Sequence, residues 1–244
     1  MNCVNEIQHI VRYGDTLYDL AKYYNTTTNE IIANNRNVNP YNLQIGTILK
    51  ICPNTIHQPD ENENCITQKE IKLSDEMNTV WEQHVFWTRL LLISIASDLN
   101  DLQQTRNRLL RNPRDIANIY RTYYGDEVAK KIEDLFTEHL GIGENIIVAL
   151  KNGETEKVQI LDDQWHKNAD DIAQFFSKIN SYYDEQELRQ MLYKHLALTT
   201  EEVSARLKGN YSADIEAFDK VEKEALMMAH YFTNGIIKQF RNMF

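Results

Sequence analysis

The sequence predicts a small α+β module, ordered strand–helix–helix–strand, joined to a larger all-α helical bundle. Three observations predict it. Residues 9–52 carry short apolar runs punctuated by Gly, Asn and Pro; residues 53–75 are polar and without periodicity; from about residue 76 to 244 apolar residues recur at helical spacing. Eight Gly and four Pro in 244 residues are too few for a turn-rich β architecture of this length. The organisation expected is a module at 1–52, a linker at 53–75 and a helical domain at 76–244.

Within the module, His9–Val11 reads as a short strand. Tyr13-Gly14-Asp15-Thr16-Leu17 reads as a turn into a helix, with Asp15 or Thr16 placed to cap its first N–H groups. Leu17, Leu20, Ala21 and Tyr24 share one face of that helix. Thr28 is expected to cap a second helix through Ile31, Ile32 and Asn35, and Gly46 precedes a closing strand at Ile48–Ile51. The helical zone predicts three long helices. The first, near 77–111, carries Trp81, His84, Thr88, Leu91, Ile95 and Leu102, and Pro113 is expected to end it. The second, near 155–180, carries Leu161, Trp165, Ile172, Phe176 and Ile179. The third, near 211–241, carries Tyr211, Ile215, Phe218, Ala225, Phe232 and Ile236. Shorter helices are expected near 126–140, 143–152, 184–196 and 200–208. Tyr123-Tyr124, His139-Leu140 and Leu150-Lys151-Asn152-Gly153 are echoed by Tyr182-Tyr183, His195-Leu196 and Leu207-Lys208-Gly209-Asn210. The echo is either a diverged duplication or a chance likeness of two amphipathic helices.

Charge and chemistry narrow the function. A net charge of −10 with no basic stripe argues against nucleic acid as a partner. The longest apolar run, Leu90–Ala96, is too short to cross a bilayer. Met1–Ile10 has neither a basic nor an apolar segment of the secretory kind, so synthesis without a signal peptide is expected. Of Cys3, Cys52 and Cys65, the last two are spaced to close a short loop, but unpaired thiols are the expectation. No nucleophile motif, phosphate-binding glycine loop or pair of catalytic carboxylates stands out, which favours a non-enzymatic protein.

The run Ile10-Val11-Arg12-Tyr13-Gly14-Asp15-Thr16-Leu17-Tyr18-Asp19-Leu20-Ala21 resembles the opening of the LysM domain. Glu30-Ile31-Ile32-Ala33-Asn34-Asn35, Asn39-Pro40-Tyr41-Asn42-Leu43 and Ile45-Gly46-Thr47-Ile48-Leu49-Lys50-Ile51 follow at that family's spacing. Ile10 departs from the usual aromatic residue, Thr47 from the common Gln, and Cys52 precedes Pro53 where the family often ends Ile-Pro. The resemblance implies binding of peptidoglycan or another N-acetylglucosamine polymer in a shallow groove. Gly14, Asp15, Thr16 and Leu17 would form one wall, and Asn39, Pro40, Asn42, Leu43 and Ile45 the other. An acetamido group presents one donor, one acceptor and a methyl, which tight loops and a small apolar wall can match. Gly14, Asp15, Thr16 and Leu17 are equally explained by turn geometry, capping and core packing. The location implied is the cell wall or a spore envelope, with the cytoplasm as the alternative.

The helical zone resembles uncharacterised helical proteins of clostridia and bacilli, which are similar in turn to ferritin-like bundles. His84, His139, His195 and Glu222 fall on inward-facing stripes of separate helices. Such groups either hold a transition metal or pair with carboxylates and carbonyls at helix ends. His166 and His230 read as surface or boundary residues. No Glu-x-x-His pair of the di-iron type occurs in the helices. The first reading is therefore a wall anchor carrying a helical effector or assembly domain, with protein partners or self-assembly through the helices. The alternative is a metal-binding, possibly enzymatic, bundle that the anchor delivers to the wall.

Overall fold

Strand β1 (Ile7–Ile10) pairs antiparallel with β2 (Ile48–Ile51), Ile10 opposite Ile48 and Ile7 opposite Ile51. The computed structural model describes residues 6–11, 15–36, 38, 43–53 and 66–244, without the side chain of Tyr18. It divides the chain into two units, residues 1–65 and 66–244.

In the first unit the alternation of β2 sends Leu49 and Ile51 inward, against Val11, Leu20, Ala21 and Ile31. Helix α1 (Leu17–Tyr23) is capped by Thr16, whose hydroxyl accepts from the Asp19 N–H. Helix α2 (Thr28–Asn34) is capped by Thr27 rather than Thr28, because only Thr27 lies three residues before Glu30 and closes a reciprocal capping box with it. The Asn35 amide then ties α2 to β2. It donates to the carbonyls of Ile31 and Lys50 at 2.7 Å each and accepts from the Lys50 N–H at 2.9 Å, satisfying backbone groups on the open side of the strand.

The second unit is all helix: α3 (Gln68–Ala96), α4 (Leu102–Leu109), α5 (Asn112–Asn152), α6 (Thr155–Ile179), α7 (Glu185–Leu207) and α8 (Tyr211–Gln239). Helix α3 begins inside the stretch read as linker, since Thr67 and Glu70 form a second capping box. The first long helix ends at Ala96, not at Pro113. Pro113 opens α5 instead, where its missing N–H and fixed φ suit a first turn. Gly125, at φ 83 and ψ 179, breaks α5 into two segments. The four shorter helices expected between 126 and 208 are two unbroken ones, the second segment of α5 and α7. Tyr211 and Ile215 face outward because the inward position at the start of α8 is taken by Asp214. That carboxylate receives both Arg89 amino groups, at 2.8 and 3.1 Å, and Arg89 also reaches Glu202 at 2.6 Å.

The echo read as two units is threefold. His84, His139 and His195 follow one another at a step of about 55 residues, and the pattern around each recurs. At equal distance beyond each histidine stands a left-handed residue: Asp98 at φ 51, then Gly153 and Gly209 at φ 72. The same pair of helix-ending bonds closes all three, from Asp98, Gly153 and Gly209 to the carbonyls of Ile95, Leu150 and Arg206, and from the next residue to Ser94, Ala149 and Ala205. The chain then runs back through a second helix in each unit: α4 with the first segment of α5, then α6, then α8. These return helices carry matching aromatic residues, Tyr120, Phe176 and Phe232, on matching alanines, Ala117, Ala173 and Ala229. The three rings touch one another, with centroids 5.2, 4.7 and 6.3 Å apart. Equivalent residues that meet in a triangle place the three hairpins around one axis. Next to the aromatic triangle, Trp81, Phe136 and Leu192 occupy the corresponding position on the first helix of each hairpin, all buried.

Gly235, in α8, lies directly under the Tyr183 ring, whose hydroxyl donates to the Phe232 carbonyl at 2.6 Å. A Cβ on Gly235 would overlap that buried ring, whereas one on Gly141, in α5, meets nothing within 4 Å. Gly235→Ala is therefore expected to destabilise the protein by about 1–3 kcal/mol, against the usual gain of Ala in a helix. Gly141→Ala should stabilise it by up to about 1 kcal/mol. Urea unfolding of the two variants checks both signs.

Candidate functional site

Two places gather the residues that the sequence singles out. In the first unit, Gly14, Asn39, Pro40 and Asn42 lie outside the described residues. Asp15 sits beside the start of α1 and takes a 2.7 Å contact from His9 Nε2, while His9 Nδ1 meets the Tyr24 hydroxyl at 2.9 Å. That pairing ties Asp15, at the entry to α1, to β1 and to the end of α1. Thr16 is spent on the α1 cap, and Leu17 is a core residue, so neither offers a free side chain. Leu43 packs at the edge of the core, and Ile45 stands 67% exposed in the turn before β2. The cross-strand pair Ile10–Ile48 is also exposed, a feature the sequence reading did not single out. Outward alternation of β2 from Leu49 is the signal that would have found it. Among its described residues the module thus exposes three isoleucines, Ile10, Ile45 and Ile48, the first and last of them paired across the strands.

In the second unit, His84, His139 and His195 come together. All three are buried, with ring centroids 5.7 Å apart for His84–His195 and 6.4 Å for the other two pairs. Glu222 does not join them. It is half-buried and faces a separate groove with Met191, Met227 and Tyr231. One turn of a helix is about 3.6 residues, so Glu222 and Glu224 lie on different faces, and Glu224 is the one that turns inward.

Each imidazole is addressed from the return helix of its own hairpin. His84 Nδ1 is 3.1 Å from Asn112 Oδ1, and Asn112 Nδ2 donates to the Val80 carbonyl at 2.8 Å. His139 Nδ1 is 2.9 Å from Asn168 Oδ1, and Asn168 Nδ2 donates to the Leu135 carbonyl at 3.2 Å. Because each amide spends its NH₂ on a carbonyl, its oxygen can only accept, so Nδ1 of both histidines carries the proton and Nε2 the lone pair. In the third hairpin Glu224 takes the matching position, its Oε2 3.8 Å from His195 Nδ1. Both of those atoms are buried without a hydrogen bond, which costs about 1–3 kcal/mol for each. The histidine carbonyls are engaged too. Thr88 and Thr199 donate to those of His84 and His195. Gly143 stands where a third Thr would, leaving room for Trp165, whose Nε1 donates to the His139 carbonyl at 3.1 Å. The sequence reading missed Asn112, Asn168 and Glu224; their recurrence one helix after each histidine is the signal that would have found them.

The three rings line a cavity of about 30 Å³ walled mainly by Leu91, Leu140, Ile146, Ile147 and Val203, room enough for one small occupant. Among the described residues, no three His, Cys, Asp or Glu side chains stand close enough, as placed, to share a metal ion. Burial holds His84 down to about 4 and His139 to about 3, the latter also lowered by His84, and it presses His195 well below its ordinary range. The same burial raises Glu224 to about 7. Among the described residues no helix is long and apolar enough to cross a membrane.

The first unit, two antiparallel strands flanking two short helices with exposed isoleucines, has the make-up of a small recognition module. The family model of the LysM domain matches residues 9–51, and this segment is a LysM domain, which supports carbohydrate binding of the peptidoglycan or chitin type. No curated protein and no solved structure matches the chain.

Imidazoles whose folded pKa is lowered favour the folded state fully above their ordinary value of 6.5, and that contribution is lost as the pH falls toward 4. Glu224 and Glu202 act with the opposite sign, their contributions being lost as the pH rises through about 7. In chelator-treated protein the three histidines outnumber these two carboxyls. The melting temperature should fall by on the order of 5–10 °C between pH 6.5 and 4, and His139→Gln should make the slope shallower. Thermal melts across that range measure both.

Proposed function

We propose that this protein docks on N-acetylglucosamine polymers of a bacterial wall through its LysM domain and holds its helical unit there. The observation that carries the reading is the match of residues 9–51 together with the exposed isoleucines Ile10, Ile45 and Ile48. Exposed isoleucines suit the methyl of an acetamido group, and backbone groups of the adjoining loops suit its amide. A surface this shallow gives modest affinity per module, so retention depends on a polymer that offers many sites. Cys52 is disulfide-bonded, which corrects the expectation of free thiols and fits residence in an oxidising place such as a wall. The spore envelope and the vegetative wall present the same polymer, and the reading takes in both. In this reading the helical unit is the effector or assembly part. Its exposed Phe86, Ile215 and Met227 are the apolar positions available to protein partners.

Sedimentation of the full-length protein with purified peptidoglycan tests the anchor, with cellulose as the control polymer. Ile45→Asp changes a residue 67% exposed and should leave folding intact while lowering retention at least about tenfold. N-acetylglucosamine tetramer should release the wild-type protein. Equal retention of wild type and variant, or retention by cellulose alone, overturns the proposal.

A further inference from the structure

The three-histidine cavity asks for an occupant that glycan binding does not supply, and its chemistry is independent of the LysM domain. Two of the imidazoles are fixed in one tautomer by amides that can only accept from Nδ1. No hydrogen bond reaches Nε2 of His84 or His139 among the described residues, and in His195 it is Nδ1 that is buried without a partner. The walls around them are mainly apolar, and the donors among them, the hydroxyls of Thr88, Thr199 and Thr200 and the Trp165 N–H, are given to backbone carbonyls. Neutral imidazoles lining one cavity, two of them steered from behind by a hydrogen-bonding amide oxygen and the third backed by a carboxyl 3.8 Å away, are a donor set that a divalent transition-metal ion selects.

We propose that His84, His139 and His195 bind one divalent first-row transition-metal ion through their Nε2 atoms, with Asn112, Asn168 and Glu224 as positioning residues behind them. The three hairpins place equivalent residues around one axis, so the three nitrogens approach the ion from three sides and leave a further coordination position toward the cavity. Imidazoles sharing a tetrahedral ion have centroids about 5 Å apart, given metal–nitrogen bonds of about 2.0–2.1 Å. The centroids here are 5.7 and 6.4 Å apart, so the ion must draw the rings together by about an ångström, a movement within reach of side-chain rotation. Glu224 is the one acidic group of the set. Its carboxyl lies behind His195 at the place where the other hairpins hold an amide, while Glu144, the acidic residue of the cavity lining, is already paired with Arg106. Mg²⁺ and Ca²⁺ prefer oxygen and are poor fits to a nitrogen triangle.

The test uses the untagged full-length protein, stripped with chelator and titrated with Co²⁺ or Zn²⁺ alone. One ion per chain is expected, with Co²⁺ giving a visible ligand-field band and X-ray absorption showing three imidazole nitrogens. His139→Gln should weaken binding at least about 100-fold, and Asn168→Ala by about 10–100-fold. His230→Gln, at an exposed histidine of α8, should leave stoichiometry and affinity unchanged. If His139→Gln does not fold, the absorption spectrum of the wild-type complex decides alone. Failure of the wild-type protein to bind Co²⁺, Zn²⁺, Ni²⁺, Mn²⁺ or Fe²⁺ stoichiometrically overturns the proposal, leaving water as the occupant. So does an ion held by sulfur or by oxygen only, or one that a folded His139→Gln retains undiminished. None of these outcomes depends on whether the protein sediments with peptidoglycan.

Discussion

The hydrogen bond from an imidazole Nδ1–H to an amide oxygen, on a side chain that also reaches back to the preceding turn, is the contact on which the helical unit depends. Asn112 joins His84 to the Val80 carbonyl, and Asn168 joins His139 to the Leu135 carbonyl. Each amide therefore locks the first helix of a hairpin to its return helix in one rotational setting. A histidine in an apolar core is tolerable only if both nitrogens are accounted for, and this device accounts for one of them. With the setting fixed, Trp81 and Phe136 point toward the axis from the same helices, and Tyr120 and Phe176 from the return helices. A slip of one residue in either hairpin would turn its aromatic residue away from the triangle and expose its histidine. Polar register and apolar packing thus enforce each other.

Much of this is legible in the sequence, but unevenly. The LysM segment declares itself because its elements are short and each is pinned by a distinctive residue, such as Gly46 or the Glu30 that closes a capping box. Long amphipathic helices are legible by period, which is why the expected ends of α6 and α8 fall within two residues of the observed ones. Helix ends between them are not. Asp98 ends α3 in a left-handed conformation that sequence reasoning assigns to Gly or Asn, so Pro113 offers itself as the stop instead. The same substitution hides the first of the three repeats, whose two partners carry Gly153 and Gly209. Its return helix is also broken into α4 and the start of α5, which blurs the match further. The choice of Glu222 over Glu224 shows the limit of stripe reading where a helix has acids on neighbouring faces.

Burial alone does not separate a structural polar group from a functional one, and the unit offers a contrast. Asp214 and Glu202 are as deeply buried as the histidines, yet Arg89 satisfies both and Arg206 adds a further contact to Asp214 at 3.3 Å. That cluster joins α3, α7 and α8 and is complete as it stands. The histidine triangle is incomplete: it faces a cavity, and the Nδ1 of its third member is buried without a hydrogen-bond partner. A closed network holds a fold together, whereas an open one of uniform donor atoms has capacity for a ligand.

The departure from threefold repetition is therefore informative about which part of the core is free to change. Where Asn112 and Asn168 bridge, Glu224 does not: its buried Oε2 makes no hydrogen bond, and a carboxyl has no NH₂ to divide between an imidazole and the carbonyl of Met191, the residue matching Val80 and Leu135. The third hairpin loses the lock that the other two have. It regains a setting from elsewhere: Arg89 ties Glu202 on α7 to Asp214 on α8, toward the helix ends and away from Glu224. Rotational register in this hairpin is thus moved to an ion cluster near the α7–α8 turn, and the axial position is released from structural duty. A residue so released, buried, acidic and aimed at an imidazole, is governed by whatever the imidazole in turn faces. The asymmetry of the lock and the openness of the cavity are one feature of the core, seen from the two sides of His195.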